Sequence, residues 1–314
     1  MKTRSLSTSD NGFDLIGDIH GYAGPLRRML AKLGYAEDNG CYRHPSRRVV
    51  FLGDFIDRGP EIRETLRMVR SMIDGGAALA VMGNHEFNAL CYHTVGMDGK
   101  PLRAHSDKNL DQHKVTLAAF ADHPDEWRDY LAWFRTLPLY LDLGDFRVVH
   151  AAWDDKIIAG LSGGNKLDER LLHKAAKRDT PEYEMIEVLL KGREIRLPDG
   201  HWFTDKGGFK RSKIRTRWWL NGKGRTYREV VFPRCDDLPE TVLPADVEAE
   251  LPGYPEDAAP VFLGHYWLPA NDPKTSVTAN VACLDYGVAK SGPLVAYRWN
   301  GSGHLADEGF VAVE

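Results

Sequence analysis

The sequence is poor in cysteine, with four in 314 residues. They are far apart and form no C-x-x-C pair: Cys41, Cys91, Cys235 and Cys283. Such spacing argues against a zinc knot, an iron–sulfur cluster or the dense disulfide framework of a small secreted domain. It fits a reducing, cytoplasmic setting best, and leaves room for one or two disulfides.

Long apolar runs are also missing. No stretch approaches the ~20 apolar residues needed to span a bilayer, so no membrane partner is expected. The first residues, MKTRSLSTSDNG, are polar and lack the apolar core of a secretory signal. We therefore expect a soluble protein of the cytoplasm.

Neither sign of charge is in large excess. Lysine and arginine total 41, aspartate and glutamate 45, and the net charge is −4. Global attraction to nucleic acid is therefore not expected, and a polyanion would have to be held by a local patch. With 43% hydrophobic residues and no internal repeat, the chain can bury a sizeable core. We predict a single domain over residues 1–314.

A short apolar run that ends in glycine and a polar residue precedes a helical pattern three times. The runs are 13–16, 49–52 and 78–82. Prolines open the first two helical patterns, at Pro25 and Pro60. Three consecutive strand, loop and helix units predict an α/β fold whose parallel strands end at one edge, where ligands collect.

The rest of the chain is less regular. Residues 109–136 predict two helices broken near Pro124, and residues 138–151 predict a hairpin. Residues 160–260 are rich in charge, glycine and proline, with a helix expected only around 182–190, and are interpreted as an insertion or cap. Strand patterns return in three runs that predict a meander, the second sheet of a sandwich: 261–263, 277–284 and 294–299.

Five short motifs place a carboxylate, an imidazole or a carboxamide where a strand should end. They are GDIHG (17–21), GDFIDRG (53–59), GNHE (83–86), VVHAA (148–152) and LGHYW (263–267). These oxygen and nitrogen donors are the ligands that Mn, Fe, Zn or Mg accept, and no thiolate accompanies them. The pattern therefore predicts a hydrolytic metal centre.

The spacing of the donors suggests two ions. Asp18 and His20 are two residues apart, so at an extended strand end both side chains face one side and can bind one ion. Asp54 ends the next strand, where its two oxygens can bridge two ions. The donors left for the second ion are Asn84, His150 and His265. Two ions ~3.5–4 Å apart activate a bridging water for in-line attack on phosphorus, which predicts hydrolysis by hydroxide without a covalent enzyme intermediate.

Three further residues are predicted to take part in the hydrolysis of the phosphate ester. His85, adjacent to Asn84, is placed to give a proton to the leaving group. Asp57 can orient His85 and hold it protonated, as a carboxylate partner does for imidazole. Arg58 offers a planar guanidinium suited to phosphate oxygens.

The motifs GDIHG, GDFIDRG and GNHE, in that order and followed by single histidines after apolar strands, resemble the calcineurin-like metallophosphoesterases. The resemblance is to the branch of phosphoprotein phosphatases and symmetrical diadenosine tetraphosphatases. It covers roughly residues 13–153 and 261–299, and includes ANVACLDYG at 279–287, which is similar to the family's closing strand. It implies a four-layer fold, in which helices flank a β-sandwich around a dimetal centre.

The resemblance implies the same ligands and roles for this sequence. One ion would be held by Asp18, His20 and Asp54, and the other by Asp54, Asn84, His150 and His265. His85 would be the acid paired with Asp57, and Arg58 would bind phosphate. Mn²⁺ is the expected ion, with Fe, Zn, Mg, Ni and Co as alternatives.

Two departures from the family pattern concern phosphate and substrate. His150 precedes Ala151-Ala152, where the protein phosphatases usually have two glycines, and no second phosphate arginine is expected near His265. Residues 160–260 carry none of the motifs of the resemblance, which leaves the substrate open. The basic stretch KGGFKRSKIRTR (206–217) is interpreted as a solvated strand face or, alternatively, as a clamp for a phosphate tail.

The leading prediction is an enzyme, a dimetal phosphoesterase acting on phosphomonoesters or on nucleotide phosphoanhydrides such as dinucleoside tetraphosphates. The nearest alternative is a serine/threonine-type protein phosphatase with a phosphoprotein substrate. A nucleic-acid-binding module using residues 206–217 is the alternative from another class, although a binding scaffold has no need of a complete metal set.

Seven other histidines and three tryptophans are interpreted as structural rather than functional residues. The histidines are read as solvated or satisfied side chains: His44, His93, His105, His113, His123, His173 and His201. Trp218, Trp219 and Trp267 are read as core or cap packing rather than as stacking platforms.

Overall fold

The computed structural model describes residues 12–161, 164–204, 210–235, 238, 240–301 and 303–314. The polar amino-terminal residues 1–11 and Lys206 of the basic stretch lie outside these ranges. None of the helices within them is long and apolar enough to cross a membrane.

The described residues form ten α-helices and fifteen β-strands. The helices are α1 (Ala23–Lys32), α2 (Ile62–Asp74), α3 (Asn84–His93), α4 (Asp107–Ala119), α5 (Pro124–Phe134), α6 (Asp155–Gly160), α7 (Glu169–Ala175), α8 (Pro181–Lys191), α9 (Tyr227–Val230) and α10 (Ala245–Glu250). The strands are β1 (Gly12–Ile16), β2 (Ala36–Asp38), β3 (Cys41–Arg43), β4 (Arg47–Phe51), β5 (Ala78–Ala80), β6 (Tyr140–Asp142), β7 (Arg147–Val149), β8 (Glu194–Arg196), β9 (Phe203–Thr204), β10 (Lys210–Arg211), β11 (Lys213–Arg215), β12 (Val261–Leu263), β13 (Val281–Cys283), β14 (Leu294–Trp299) and β15 (Phe310–Val313).

The first sheet contains the three predicted strand and helix units. Its order is β15-β14-β1-β4-β5, and β1, β4 and β5 are parallel. Ile16 pairs with Phe51 and Phe51 with Ala80, so the three strands end level with one another. The parallel arrangement predicted from the sequence is confirmed, and the loops after the three strands meet at one edge of the sheet.

The second sheet has the order β13-β12-β7-β6. The predicted hairpin is confirmed as the antiparallel pair β6 and β7. The predicted meander is wrong, because β12 runs parallel to both β7 and β13, and β14 lies in the first sheet beside β1. Short apolar runs carry no information about their pairing partners, and the long connections after β7 and β12 permit parallel crossovers.

The two sheets pack face to face around an aromatic core. Phe146 of the hairpin lies with its ring centroid 5.3 Å from that of Phe13 and 5.7 Å from that of Phe262. Leu15, Val50 and other alternate strand residues complete this core. The predicted mixed α/β sandwich flanked by helices is confirmed, and α1 and α2 cover the first sheet.

Residues 164–260 hold more regular structure than the sequence pattern suggested. The helix expected around 182–190 is α8, but α7, α9 and α10 are also present. These helices have four to seven residues, too short for an apolar period to appear. Strands β8 and β11 pair and contribute to a hydrophobic cluster that includes Ile195, Ile214 and Val230.

The basic stretch does not form one strand. Its residues Lys210–Arg211 pair with β9, whereas Lys213–Arg215 pair with β8. Ile214 is buried in the local cluster. The predicted single basic face is therefore wrong, and the side chains instead line two cavities, described below.

Candidate metal centre

The loops after β1, β4 and β12 turn sharply where they present their donors. His20, Asp54 and His265 have φ angles of 49°, 53° and 67°, in the left-handed region that non-glycine residues rarely adopt. A Cβ built on Gly264 would lie 2.0 Å from Asp18 Oδ1, so only glycine permits this close approach. Such backbone geometry holds the donors against one another at the shared edge of the two sheets.

The structure brings the six predicted metal ligands together. His20 Nε2 lies 3.6 Å from Asp54 Oδ2 and 4.0 Å from Asp18 Oδ2. On the other side of Asp54, His150 Nε2 lies 3.4 Å from Oδ2 and 3.1 Å from Asn84 Oδ1. Two groups of three residues each place one donor atom per residue within 4.8 Å of the other two. The first group is His20, Asp54 and His85, and the second is Asp54, His150 and His265. Asp54 belongs to both groups, as expected of a bridge.

Backbone carbonyls orient two of the imidazoles. His20 Nδ1 donates to the carbonyl of Ile56 at 3.0 Å, and His150 Nδ1 donates to the carbonyl of Leu52 at 2.7 Å. Each ring therefore carries its proton on Nδ1 and directs Nε2 into the site. This is the tautomer that a metal-binding histidine needs.

The electrostatics of the site suit a cation. Burial, reinforced by His85, lowers the pKa of His20 to about 3, so that this imidazole is neutral. Burial and the nearby Arg215 guanidinium lower the pKa of His265, whose Nε2 atom is buried and has no hydrogen-bond partner among the described residues. Burial and the charges of Asp285 and Asp54 raise the pKa of Asp18. A divalent cation would relieve this repulsion and satisfy the lone pair of His265.

Of the predicted catalytic residues, His85 belongs to the first group, and Asp57 and Arg58 contact it. His85 Nδ1 donates to Asp57 Oδ2 at 2.5 Å, and Arg58 Nη2 lies 3.4 Å from His85 Nε2. The Arg58 guanidinium also stacks 4.5 Å above the Trp267 ring. Trp267, interpreted from the sequence as packing, therefore supports a residue of the site.

Asp57 and His85 shift each other's pKa in the expected directions. Burial alone would raise the pKa of Asp57, but hydrogen bonds from His113 and His85 outweigh it and hold the pKa below its usual value. Burial opposes protonation of His85, yet the charge of Asp54 and the hydrogen bond to Asp57 raise its pKa. The pair thus consists of a carboxylate and an imidazole that readily accepts a proton.

Helix α4 supplies two residues that the sequence analysis did not connect to the site. His113 Nδ1 donates to Asp57 Oδ1 at 2.8 Å, and Thr116 Oγ1 donates to the same oxygen at 2.6 Å. Both side chains are buried. His113 is satisfied, as expected, but its partner is a carboxylate of the site. His113 and Thr116 are three residues apart, a spacing that places them on one face of the helix. Nothing in the sequence indicates what that face contacts.

A further ring lies against His113. Trp127 Nε1 donates to His93 Nε2 at 3.1 Å, so that nitrogen is an acceptor. His113 Nε2 lies 3.3 Å from the same atom. The contacts of its two nitrogens fix the ring of His113, which helps to hold Asp57 in the orientation that receives His85.

Two buried carboxylates stabilise the loops. Glu86 accepts hydrogen bonds from the backbone N–H groups of Gly83, Asp54 and Phe55 at 2.8 to 2.9 Å. Asp285 accepts from the N–H groups of Trp267 and Gly287, both at 2.9 Å. The GNHE motif signals the first, since an acid at this position caps a helix start. Asp285 lies in ANVACLDYG, whose role the sequence did not specify.

The sequence shows no obvious second phosphate arginine near His265, but the fold places an arginine there. Arg215 of β11 lies close enough to lower the pKa of His265, and its guanidinium is 5.3 Å from the Tyr266 ring. Its Nε atom is buried without a hydrogen-bond partner among the described residues. Because Arg215 is 50 residues before His265 in the chain, only the folded structure reveals their proximity.

The site opens into a cleft of about 770 Å³. Arg58, Asn84, His85 and His265 are among the residues that line the cleft. Its charged lining further includes six cations and two acids: Arg103, Lys108, Arg178, Lys191, Arg211 and Arg215, with Glu187 and Glu194. The arrangement can hold an anion beside two groups of metal donors.

A family model described as calcineurin-like phosphoesterase matches residues 13–220, more than half of the chain. The chain belongs to this family. Among its relatives is the symmetrical bis(5'-nucleosyl)-tetraphosphatase of Aromatoleum aromaticum, 35% identical over 213 residues, which are 62% of this chain and 70% of that protein.

Shorter matches link this member of the family to asymmetrical bis(5'-nucleosyl)-tetraphosphatases named PrpE. The protein from Halalkalibacterium halodurans is 42% identical over 85 residues, or 27% of this chain, and the one from Oceanobacillus iheyensis is 30% identical over 155 residues, or 46%. The matches span 34% and 58% of those relatives. A protein serine/threonine phosphatase of Saccharomyces cerevisiae, with similarity to human phosphatase PP5, is 15% identical with a TM-score of 0.53 over 98% of this chain and 80% of that one. This likeness concerns the fold alone.

Proposed function

We propose that the protein is a metal-dependent phosphoesterase that hydrolyses nucleotide phosphoanhydrides, with dinucleoside tetraphosphates as the substrate class and simple phosphomonoesters as lesser substrates. The observation that carries the proposal is the pair of donor groups that share Asp54, the first of which includes His85, hydrogen-bonded to Asp57. A structural site would not need a proton donor facing an open cationic cleft.

Two divalent ions fit the donors that the chain provides. Asp18, His20 and Asp54 would hold one ion, and Asp54, Asn84, His150 and His265 the other; the buried, unpartnered Nε2 atom of His265 supports this assignment. When bound, such ions activate water for attack on phosphorus and neutralise phosphate charge. We propose Mn²⁺ as the first ion to test, then Fe, Zn, Mg, Ni and Co.

The chain's own side chains would perform the remaining tasks. Arg58, stacked on Trp267, would bind phosphate oxygens with its planar guanidinium. His85 would give a proton from Nε2 to the leaving oxygen, while its Nδ1 proton stays on the hydrogen bond to Asp57. Arg215, close to His265, would also bind phosphate oxygens, so that two guanidinium groups of the cleft, those of Arg58 and Arg215, serve the phosphate.

The choice of dinucleoside tetraphosphates rests on relatives and on charge. The relatives above are named as tetraphosphatases, both symmetrical and asymmetrical. The cleft is lined by several cationic side chains, more than a single phosphate needs. We interpret residues 160–260, which supply Arg178, Lys191, Arg211 and Arg215, as an insertion that selects the substrate. Free thiols at all four cysteines support the cytoplasmic setting that we propose.

The test is turnover with defined metals. Protein stripped with a chelator is reloaded with each ion, and its metal content is measured by mass spectrometry. It is then assayed with diadenosine tetraphosphate, p-nitrophenyl phosphate and a phosphoserine peptide. We expect metal-dependent hydrolysis, with the highest kcat/KM for diadenosine tetraphosphate; its products distinguish two ADP from ATP plus AMP. A highest kcat/KM for the phosphopeptide would instead identify a protein phosphatase.

A further inference from the structure

A second cavity lies beside the metal cleft. It has a volume of about 840 Å³ and is bordered by α8, by β10 and β11, and by Phe232-Pro233. We call it the distal cavity. Its volume is within the range of small-molecule binding sites, about 300–1,000 Å³. None of the nine predicted catalytic or metal residues borders it.

The distal cavity and the metal cleft share a mouth. Arg178, Tyr183, Arg211 and Arg215 are among the residues that border both. A ligand held at the metal centre through one end can therefore extend past these side chains into the distal cavity. The unpartnered Nε atom of Arg215 is a hydrogen-bond donor at this mouth.

Charge differs between the mouth and the distal cavity. Four cationic and two acidic side chains border both spaces, and one of those acids, Glu187, is already paired with Lys191. Beyond the mouth, three acids balance three bases, and one of these bases, Arg193, is paired with Asp154. A chain of phosphates is therefore favoured in the mouth, whereas the distal cavity suits a group without net charge.

The side chains of the distal cavity match a nucleoside. Tyr183, Phe203 and Phe232 offer aromatic faces that can contact a base. The carboxylates of Glu184 and Glu250 can accept hydrogen bonds from ribose hydroxyls or from the amino group of a base. An inorganic polyphosphate has no base and no ribose, so it would make neither type of contact.

We infer that the distal cavity binds a nucleoside of the substrate, while Arg178, Arg211 and Arg215 bind the phosphates between that nucleoside and the metal centre. This subsite rests on the proposed function for its substrate class. Specificity for a nucleotide polyphosphate over a simple phosphoester would then come from residues 178–250, outside the motifs that hold the metal.

The test introduces a tryptophan side chain into the distal cavity and leaves the residues of the metal cleft unchanged. Ser212 is exposed and borders only the distal cavity, so Ser212→Trp should fold and occupy the space of the nucleoside. Glu184→Trp does the same from α8. Thr241→Trp is the matched control, because Thr241 is exposed in the same part of the chain and borders neither cavity.

Three substrates separate the contributions. For diadenosine tetraphosphate, we expect Ser212→Trp and Glu184→Trp to raise KM about tenfold or more. A rise in KM without a change in kcat is expected when binding is lost at a part of the substrate far from the reacting phosphorus. KM for inorganic tripolyphosphate and for p-nitrophenyl phosphate should change less than about twofold. Thr241→Trp should leave all three unchanged. An unchanged KM for diadenosine tetraphosphate, or an equal rise for all three substrates, would overturn the inference.

A binding measurement keeps this inference separate from the proposed function. Calorimetric titration of diadenosine tetraphosphate into chelator-treated protein does not depend on turnover. Weaker binding to Ser212→Trp than to Thr241→Trp would support the subsite even if no substrate is hydrolysed, in which case only the proposed function fails. Equal binding to both variants would overturn the subsite even if hydrolysis is observed.

Discussion

The His85 ring is held by a hydrogen bond from Nδ1 to Asp57, and its residue borders the cleft beside Arg58. If it protonates the leaving group, His85→Asn should lower kcat by ~10²–10⁴-fold for a substrate with a poor leaving group. The loss should be smaller for p-nitrophenyl phosphate, whose leaving group needs little protonation. Metal content, measured in parallel, should not change. Equal losses for both substrates would show that His85 has another role.

His113 tests whether the orientation of Asp57 matters for turnover. His113→Leu removes a hydrogen bond to Asp57, whereas His113→Asn can place an amide N–H near the position of Nδ1. We expect the leucine variant to lose about tenfold in kcat with poor leaving groups, less than removal of the acid itself, which costs ~10²–10⁴-fold. The asparagine variant should recover part of that loss. A loss in both variants that appears in KM rather than kcat would contradict a positioning role.

Asp54 is the one carboxylate that both donor groups share. Asp54→Asn should abolish turnover, because a neutral amide cannot bridge two dications. Elemental analysis should then find fewer than two ions per chain. Asp257→Asn, at an exposed position, is the control for the change of charge. Activity like that of the unmodified protein would rule out a dimetal reaction.

Sequence reasoning found the nine predicted site residues because each stands inside a short motif at the end of a strand. The structure brings the nine residues close to one another, four of them border the cleft, and their roles remain predictions. His113 and Arg215 were missed for a different reason. Each lies in ordinary local sequence, on a helix or an edge strand, and becomes part of the site only through tertiary contacts.

At the scale of elements, strand partners were harder to predict than strands. The runs at β12, β13 and β14 were located correctly, but their local pattern does not distinguish a hairpin from a crossover. The parallel pairing of β7, β12 and β13 has a functional consequence. It brings the loops after all three strands, with His150, His265 and Asp285, to the edge where the first sheet presents Asp18 and Asp54.

The loop after β12 gives a prediction at this scale. Because a Cβ at residue 264 would lie 2.0 Å from Asp18 Oδ1, Gly264→Ala should displace the Asp18 carboxylate. We expect reduced metal content and a loss of roughly 1–3 kcal/mol in the free energy of unfolding, as for other overpacked sites. Gly24→Ala is the matched control, since its Cβ would have no neighbour closer than 3.5 Å. Full metal occupancy in Gly264→Ala would contradict the close packing.

Over the whole molecule, the charge balance is unfavourable for a polyanionic substrate. The net charge is −4, so attraction must come from the local cations at the mouth between the two cavities. Composition indicated that such a patch was needed, but not where it lies. Arg178 and Arg211 come from parts of the chain that only the fold brings to the metal cleft.

Ionic strength should therefore affect long and short substrates differently. For diadenosine tetraphosphate, we expect KM to rise between low and physiological salt, because screening within ~8–10 Å weakens contacts with exposed cations. KM for p-nitrophenyl phosphate should rise less. Replacing Arg178 and Arg211 together by serine should raise KM for the tetraphosphate at low salt and flatten its salt dependence, whereas Lys223→Ser, at an exposed position that borders neither cavity, should do neither. A salt dependence that persists unchanged in the double variant would place the attraction elsewhere on the surface.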